Sequence, residues 1–233
     1  MKITNFIQEF IVQEDREFDS GHASTLLELK NGNVIVSWFA GSWEKGSDVA
    51  IWIARRMNGV WEKSGMVPLR RASYDIQALN RPYNKHYCYG KGIIQPTLWQ
   101  DKDEQVHMLT RSTSSRIFRS DSIDGGRTWS LAYDTGLPNN NSGIDVAALP
   151  DGRLVLVYNP RENLPNYYKG PRTPLVVAYS EDNGETFHEL AVLEDGSGEF
   201  SYPAIICNDK NEIMVSYTWK RETIKFCKLA YED

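Results

Sequence analysis

The chain has 233 residues, a formal net charge of -5, and 41% hydrophobic and 24% charged residues, an ordinary globular mixture with room for one large domain or two small ones. No Lys/Arg-rich run offers a footprint for nucleic acid, and no apolar stretch approaches the roughly 18 residues of a membrane span. The start "MKITNFIQEF" lacks a basic-then-apolar leader, so the expected compartment is the cytoplasm, and Cys88, Cys207 and Cys227 are too few and too scattered for a disulfide framework or a zinc site.

Taken in chain order, the elements read as strands. "NFIQEFIV" near the N-terminus is a strand without a hairpin partner of its own. Four hairpins follow: "LLELKNGNVIVSWF", "PTLWQDKDEQVHML", "VAALPDGRLVLVYN" and "AIICNDKNEIMVSY". Asn31-Gly32 and Asp151-Gly152 are strong two-residue turns, because both central positions want positive φ. Their flanks carry Val, Ile, Leu and Tyr in alternating or continuous apolar runs, and no long stretch has a helical period. Each hairpin leads to a further strand, such as "RIFRSDS" or "PLVVAYS", and then to a polar octet.

The octets repeat. "SIDGGRTW" begins at Ser122 and "SEDNGETF" at Ser180, 180 − 122 = 58 residues apart. Both read Ser-x-Asp-x-Gly-x-Thr-aromatic. Ser and Asp bond nearby backbone and fasten a turn, while the Gly takes a backbone angle that other residues resist. Trp129 and Phe187 are expected to fold back as plugs under the sheet. "ARRMNGVW" is a worn copy that keeps Asn58, Gly59 and Trp61. The repeats thus predict four units of four strands, the pattern of propeller blades. The last unit lacks an octet, and "NFIQEFIV" is placed to complete its sheet and remove an open edge.

These octets resemble the Asp-box (BNR) repeat of the sialidase superfamily. "HASTLLELKNGNVIVSWFAG", "IIQPTLW", "RIFRSDSIDGGRTW", "LPNNNSGIDVAALPDGRLVLVYNP" and "GEFSYPAIICNDKNEIMVSYTWKRETIKF" extend the likeness to bacterial sialidase-like BNR-repeat proteins over most of the chain. The resemblance implies an all-β fold, a sialidase-type β-propeller forming a single domain over 1–233. Six blades are usual in that family, and this chain has about four. The stretch 64–92, rich in Tyr, His and Arg, stands where two further blades are expected.

Ligands of a propeller bind at the mouth of the central channel, so polar residues beside the inner strands are the candidates. His22, Gln95, Asp145 and Tyr202 occupy equivalent places before the apolar inner strands and are expected to converge. Arginine forms two parallel bonds to a carboxylate, which makes Arg111 and Arg172 candidate anchors for an acidic sugar. Trp43 and Asp48 are expected to line the pocket beside His22.

The resemblance adds roles. It implies Tyr202 as nucleophile, with Asp145 or Glu199 drawing its proton, and Asp48 or His22 as general acid/base. A Tyr nucleophile avoids the repulsion that a carboxylate would meet from an acidic substrate. The Arg-Ile-Pro motif of sialidases is absent, and "SGHAST" with His22 stands in its place. Three readings follow: an exo-acting glycoside hydrolase of sialidase type, a polysaccharide lyase using His22 and Tyr202, or a non-catalytic glycan-binding propeller. A glycan is the expected partner; no cofactor or metal is expected, and no oligomeric state follows from the sequence.

Overall fold

The computed structural model of the protein describes residues 1–12, 16–29, 31–43, 50–66, 93–125, 127–165, 167 and 169–232. Among them there is no helix. The strands form four antiparallel sheets. The first is built from β2 (Ser20–Glu28), β3 (Val34–Gly41), β4 (Ala50–Met57) and β5 (Val60–Trp61), with β6 (Gly65–Met66) also pairing β4. The second runs from β7 (Ile93–Gln100) through β8 (Val106–Ser112) and β9 (Arg116–Ser122) to β10 (Tyr133–Pro138). The third is β11 (Asp145–Ala148), β12 (Leu154–Tyr158), β13 (Leu175–Ser180) and β14 (His188–Glu194). The fourth is β15 (Phe200–Asn208), β16 (Glu212–Trp219) and β17 (Thr223–Glu232), closed by β1 (Lys2–Phe10), which pairs antiparallel with β17. Each expected hairpin forms the two inner strands of a sheet, and the N-terminal strand completes the last sheet as its pattern implied.

Both octets join the third and fourth strands of their sheets. Asp124 accepts from the Thr128 hydroxyl at 2.6 Å, the Thr128 amide at 2.8 Å and the Ser122 hydroxyl at 2.8 Å. Asp182 repeats the pattern with Thr186 and Ser180. These donors favour the ionised form. The Thr128 hydroxyl and amide, with Ser122, bring Asp124 down to about 2. At Asp182 burial pulls upward, but the Thr186 and Ser180 bonds outweigh it and leave the carboxyl at about 2. A carboxylate depressed by folding stabilises the fold above its unfolded value, and the contribution disappears as pH falls through the folded value. The melting temperature is therefore expected to drop between pH ~4 and ~2. The drop should be shallower in the Asp124→Asn/Asp182→Asn double variant, as differential scanning calorimetry would read.

Three apolar cores join the four sheets. One lies between the fourth and first sheets, with Val36, Trp38, Trp52, Met214 and Phe226. A second, with Val155, Val177, Val215 and Tyr217, lies between the third and fourth. The last, with Trp99, Leu109, Ile117, Val146 and Leu156, lies between the second and third. Among the described residues no such core joins the first sheet to the second. The outward alternates of β7 and β2 show it: Ile94 is 51% exposed, Leu98 52% and Leu27 59%.

The plugs follow the same rule. Trp61 packs on the first of these cores and Phe187 on the last, each at the junction with the preceding sheet. Trp129, expected to be buried likewise, is 36% exposed and is not among the residues of these cores. The stretch 64–92 falls largely outside the described residues, as does Cys88.

Candidate functional site at the channel mouth

Three inner strands break their ladders near the same end. The register slips between His22 and Thr25 in β2, between Ile94 and Pro96 in β7, and between Ser201 and Ala204 in β15. At each slip one residue has positive φ: Ala23 at 51°, Gln95 at 57° and Tyr202 at 50°. Such bulges re-aim side chains, and a bulky residue at positive φ persists only where its surroundings over-determine it. His22, Gln95 and Tyr202 therefore lie inside the inner strands rather than before them. The bulges in β2 and β15 fall where the His22 and Tyr202 rings come together.

These residues do meet. The His22 and Tyr202 rings make an edge contact with centroids 4.3 Å apart. A Cβ added at Gly143 would make ordinary contact with Tyr202 Cα at 3.4 Å and with the Gln95 side-chain amide at 3.5 Å, so the second, third and fourth sheets come together at this point. His22 is buried, with Nδ1 3.2 Å from Thr218 Oγ1 on β16. The amide of Ala23 donates to the same hydroxyl at 3.0 Å.

The arginines surround Tyr202. The Arg172 guanidinium lies 5.1 Å from the Tyr202 ring centroid and that of Arg111 lies 5.8 Å away. Burial would raise the phenol, but the Arg172 charge and hydrogen bonds from Arg111 and Arg172 prevail and hold it below its ordinary value. Arg111 keeps Nε and Nη1 buried without a protein partner. Two open donors on a guanidinium beside a low-pKa phenol suit an incoming anionic oxygen.

Glu199 is bound on three sides. It accepts from Arg172 at 2.6 Å, from Arg221 at 2.8 Å and from Ser201 at 3.1 Å. Burial pushes its carboxyl upward, and the Arg172 and Arg221 charges override this and lower it. Arg221 escaped the sequence reading. Its signal is the tight turn "WKRE", where Lys220 at φ 53° and Arg221 at φ 59° hold conformations that usually fall to Asn and Gly.

Asp145 is placed differently from the rest. Its Oδ1 accepts from Thr97 Oγ1 at 2.6 Å and the Val146 amide at 3.1 Å, and its Oδ2 from the Ile205 amide at 2.9 Å. One carboxylate thus ties β7, β11 and β15 together. Burial raises its pKa against these three donors. Trp43 stands exposed just beyond β3, Arg116 pairs with Glu162 at 2.6 Å, and Asp48 lies outside the described residues.

The model of the BNR repeat-like domain family matches residues 74–215, more than half of the chain. A search of curated proteins returns no match. Among solved structures the chain is similar to a Dyadobacter fermentans protein of unknown function, with 17% identity, a TM-score of 0.50, and coverage of 89% of this chain and 52% of that one. It is also similar to an α-L-arabinofuranosidase of Podospora anserina solved with cellotriose, at 12% identity and a TM-score of 0.52, covering 94% and 93% of the two chains. The NanB sialidase of Streptococcus pneumoniae matches at 15% identity and a TM-score of 0.43, over 88% of this chain and 30% of that one. The chain spans about half the length of the Dyadobacter protein and under a third of the sialidase. At these identities the Dyadobacter and Podospora structures speak to the fold alone. With the Asp-box turns fastened as described and the family match running from the second sheet into the fourth, the chain belongs to the BNR repeat-like domain family.

Proposed function

We propose that this chain, acting as one domain over 1–233, is an exo-acting glycoside hydrolase that removes a terminal acidic sugar from a glycan. The observation that carries the reading is the Tyr202 phenol, depressed below its ordinary value between Arg111 and Arg172 at the point where the inner strands converge. That solved proteins of this fold include glycoside hydrolases supports a glycan substrate.

In the proposed reaction the Tyr202 oxygen attacks the anomeric carbon and the glycosidic C–O bond breaks. The leaving oxygen takes a proton from His22 or Asp48. Water then releases the sugar from Tyr202, so each turnover adds one water. Glu199, bonded to the same Arg172 that touches Tyr202, is better placed than Asp145 to balance the phenol proton, because both oxygens of Asp145 are held by the inner strands. Arg111, with two open donors, takes the substrate carboxylate. Gln95 orients the ring, and Trp43 offers a face for sugar stacking.

One observation favours a second reading. His22 and Tyr202 are in direct ring contact, which would place an acid and a base side by side for β-elimination on a uronate. There one group removes the C5 proton, the other gives a proton to O4 as the C4–O4 bond breaks, and a C4=C5 double bond forms without water.

Mass spectrometry of the purified chain with sialylated and uronate-containing oligosaccharides separates the readings. Products heavier by one water are expected. Products that are unsaturated and without added water would transfer the site to elimination. An intact panel after incubation with well-folded protein would sink both enzymatic readings.

A further inference from the structure

Arg172 reaches Tyr202 from the connection between β12 and β13, and the described parts of that connection are anchored by a small buried set of amides. Asn159, at its start, is fully buried. Its Nδ2 donates to Pro174 O at 2.8 Å, at the far end of the connection, and to Phe200 O at 3.1 Å, at the start of β15. The Phe200 amide in turn donates to Arg172 O at 2.9 Å. Both backbone polar groups of Phe200, two residues before Tyr202, are thus tied to the Arg172 segment.

Ser142 and Asn140 brace this amide from the other side. Ser142 Oγ lies 2.6 Å from Asn159 Oδ1 and 2.5 Å from Asn140 Oδ1. Asn140 Nδ2 donates to Gly170 O at 3.4 Å and to Pro171 O, and the Gly170 amide donates back to Asn140 O at 3.3 Å. A Cβ at Gly170 would come 2.2 Å from Glu162 O, so the chain can double back there only at glycine. Buried polar sets of this kind specify one geometry when they are satisfied.

We infer that Asn159 is a positioning residue: its buried amide, braced by Ser142 and Asn140, holds the Arg172 segment and the start of β15 in one register, and so sets the Arg172 guanidinium on Tyr202. The inference rests on the reading of Tyr202 and Arg172 as parts of the reacting site. It needs no substrate to be tested, because the phenol itself reports the arrangement.

The experiment is a pH titration of 13Cζ-labelled tyrosine followed by NMR, with Tyr202 assigned by its loss in Tyr202→Phe. The wild-type Tyr202 signal is expected to titrate below the exposed tyrosines. Arg172→Ala should move it upward, and Asn159→Ala should move it the same way. Leu193→Ala, a destabilising change on β14, the outermost strand of the third sheet, should leave it in place; Leu193 is buried there and bonds no member of the amide set. A folded Asn159→Ala protein that titrates like wild type overturns the inference. If Asn159→Ala does not fold, Ser142→Ala decides in its stead: an upward shift supports the brace and an unchanged titration refutes it. A wild-type Tyr202 that titrates with the exposed tyrosines would instead overturn the reading of Tyr202 as nucleophile.

Discussion

Tyr202→Phe is expected to lower kcat/KM by about a thousandfold or more while leaving the fold intact. Phenylalanine keeps the ring, and with it the edge contact to His22 and the packing under Arg111 and Arg172. What disappears is the oxygen that both guanidiniums depress, the atom that bonds to the anomeric carbon in the proposed reaction. Steady-state kinetics on whichever oligosaccharide the mass survey identifies would measure the loss, and thermal melting would check the fold. Retention of more than about a tenth of the activity would place the nucleophile elsewhere, since removing a bond-forming group costs far more than that.

Asp145→Ala is expected to destabilise the protein by about 3–5 kcal/mol, because it strands the Thr97 hydroxyl and the Ile205 amide at once, while the Val146 amide keeps Thr97 Oγ1 as an acceptor. The carboxylate is the shared acceptor for Thr97 on β7, Val146 on β11 and Ile205 on β15. Each orphaned group costs roughly 1–3 kcal/mol of desolvation, and the sheets they belong to lose their common tie. For a chain of this size the melting temperature should fall by about 10 °C. Asp145→Asn, which keeps one acceptor oxygen and the volume, should fall in between. A melting temperature within about 2 °C of wild type for Asp145→Ala would show that the tie is dispensable and return the residue to a chemical role.

The two expectations divide the candidates that the sequence proposed together. His22, Gln95, Asp145 and Tyr202 were chosen for one reason, their place beside an inner strand. All four do reach the convergence of the inner strands, yet Asp145 spends both oxygens on backbone and hydroxyl donors while Tyr202 keeps its phenol against two arginines. Similar position along the chain does not imply similar partners.

Turn chemistry, strand pattern and the closing role of the N-terminal strand were legible in the residues because each depends on a few neighbours. Asp124 bonds residues no more than four positions away, and Gly32 and Gly152 do take positive φ; yet Asp151 does not, and the Gly152 amide reaches back to Leu149 O, so that turn is one residue longer than the two-residue turn expected of Asp151-Gly152. The four-sheet count followed from the same local signals. The pairings that make the site were not legible, because they join residues far apart in the chain. Asp145 meets the Ile205 amide, Asn159 meets Phe200, and Glu199 gathers Arg172 and Arg221. Nor did the residues announce that Tyr202 would sit at positive φ, or that among the described residues three cores would join the four sheets. Local preferences select the strands and their turns. Partners are chosen by which faces the sheets bring together, and the free energy of that choice belongs to buried contacts between sheets.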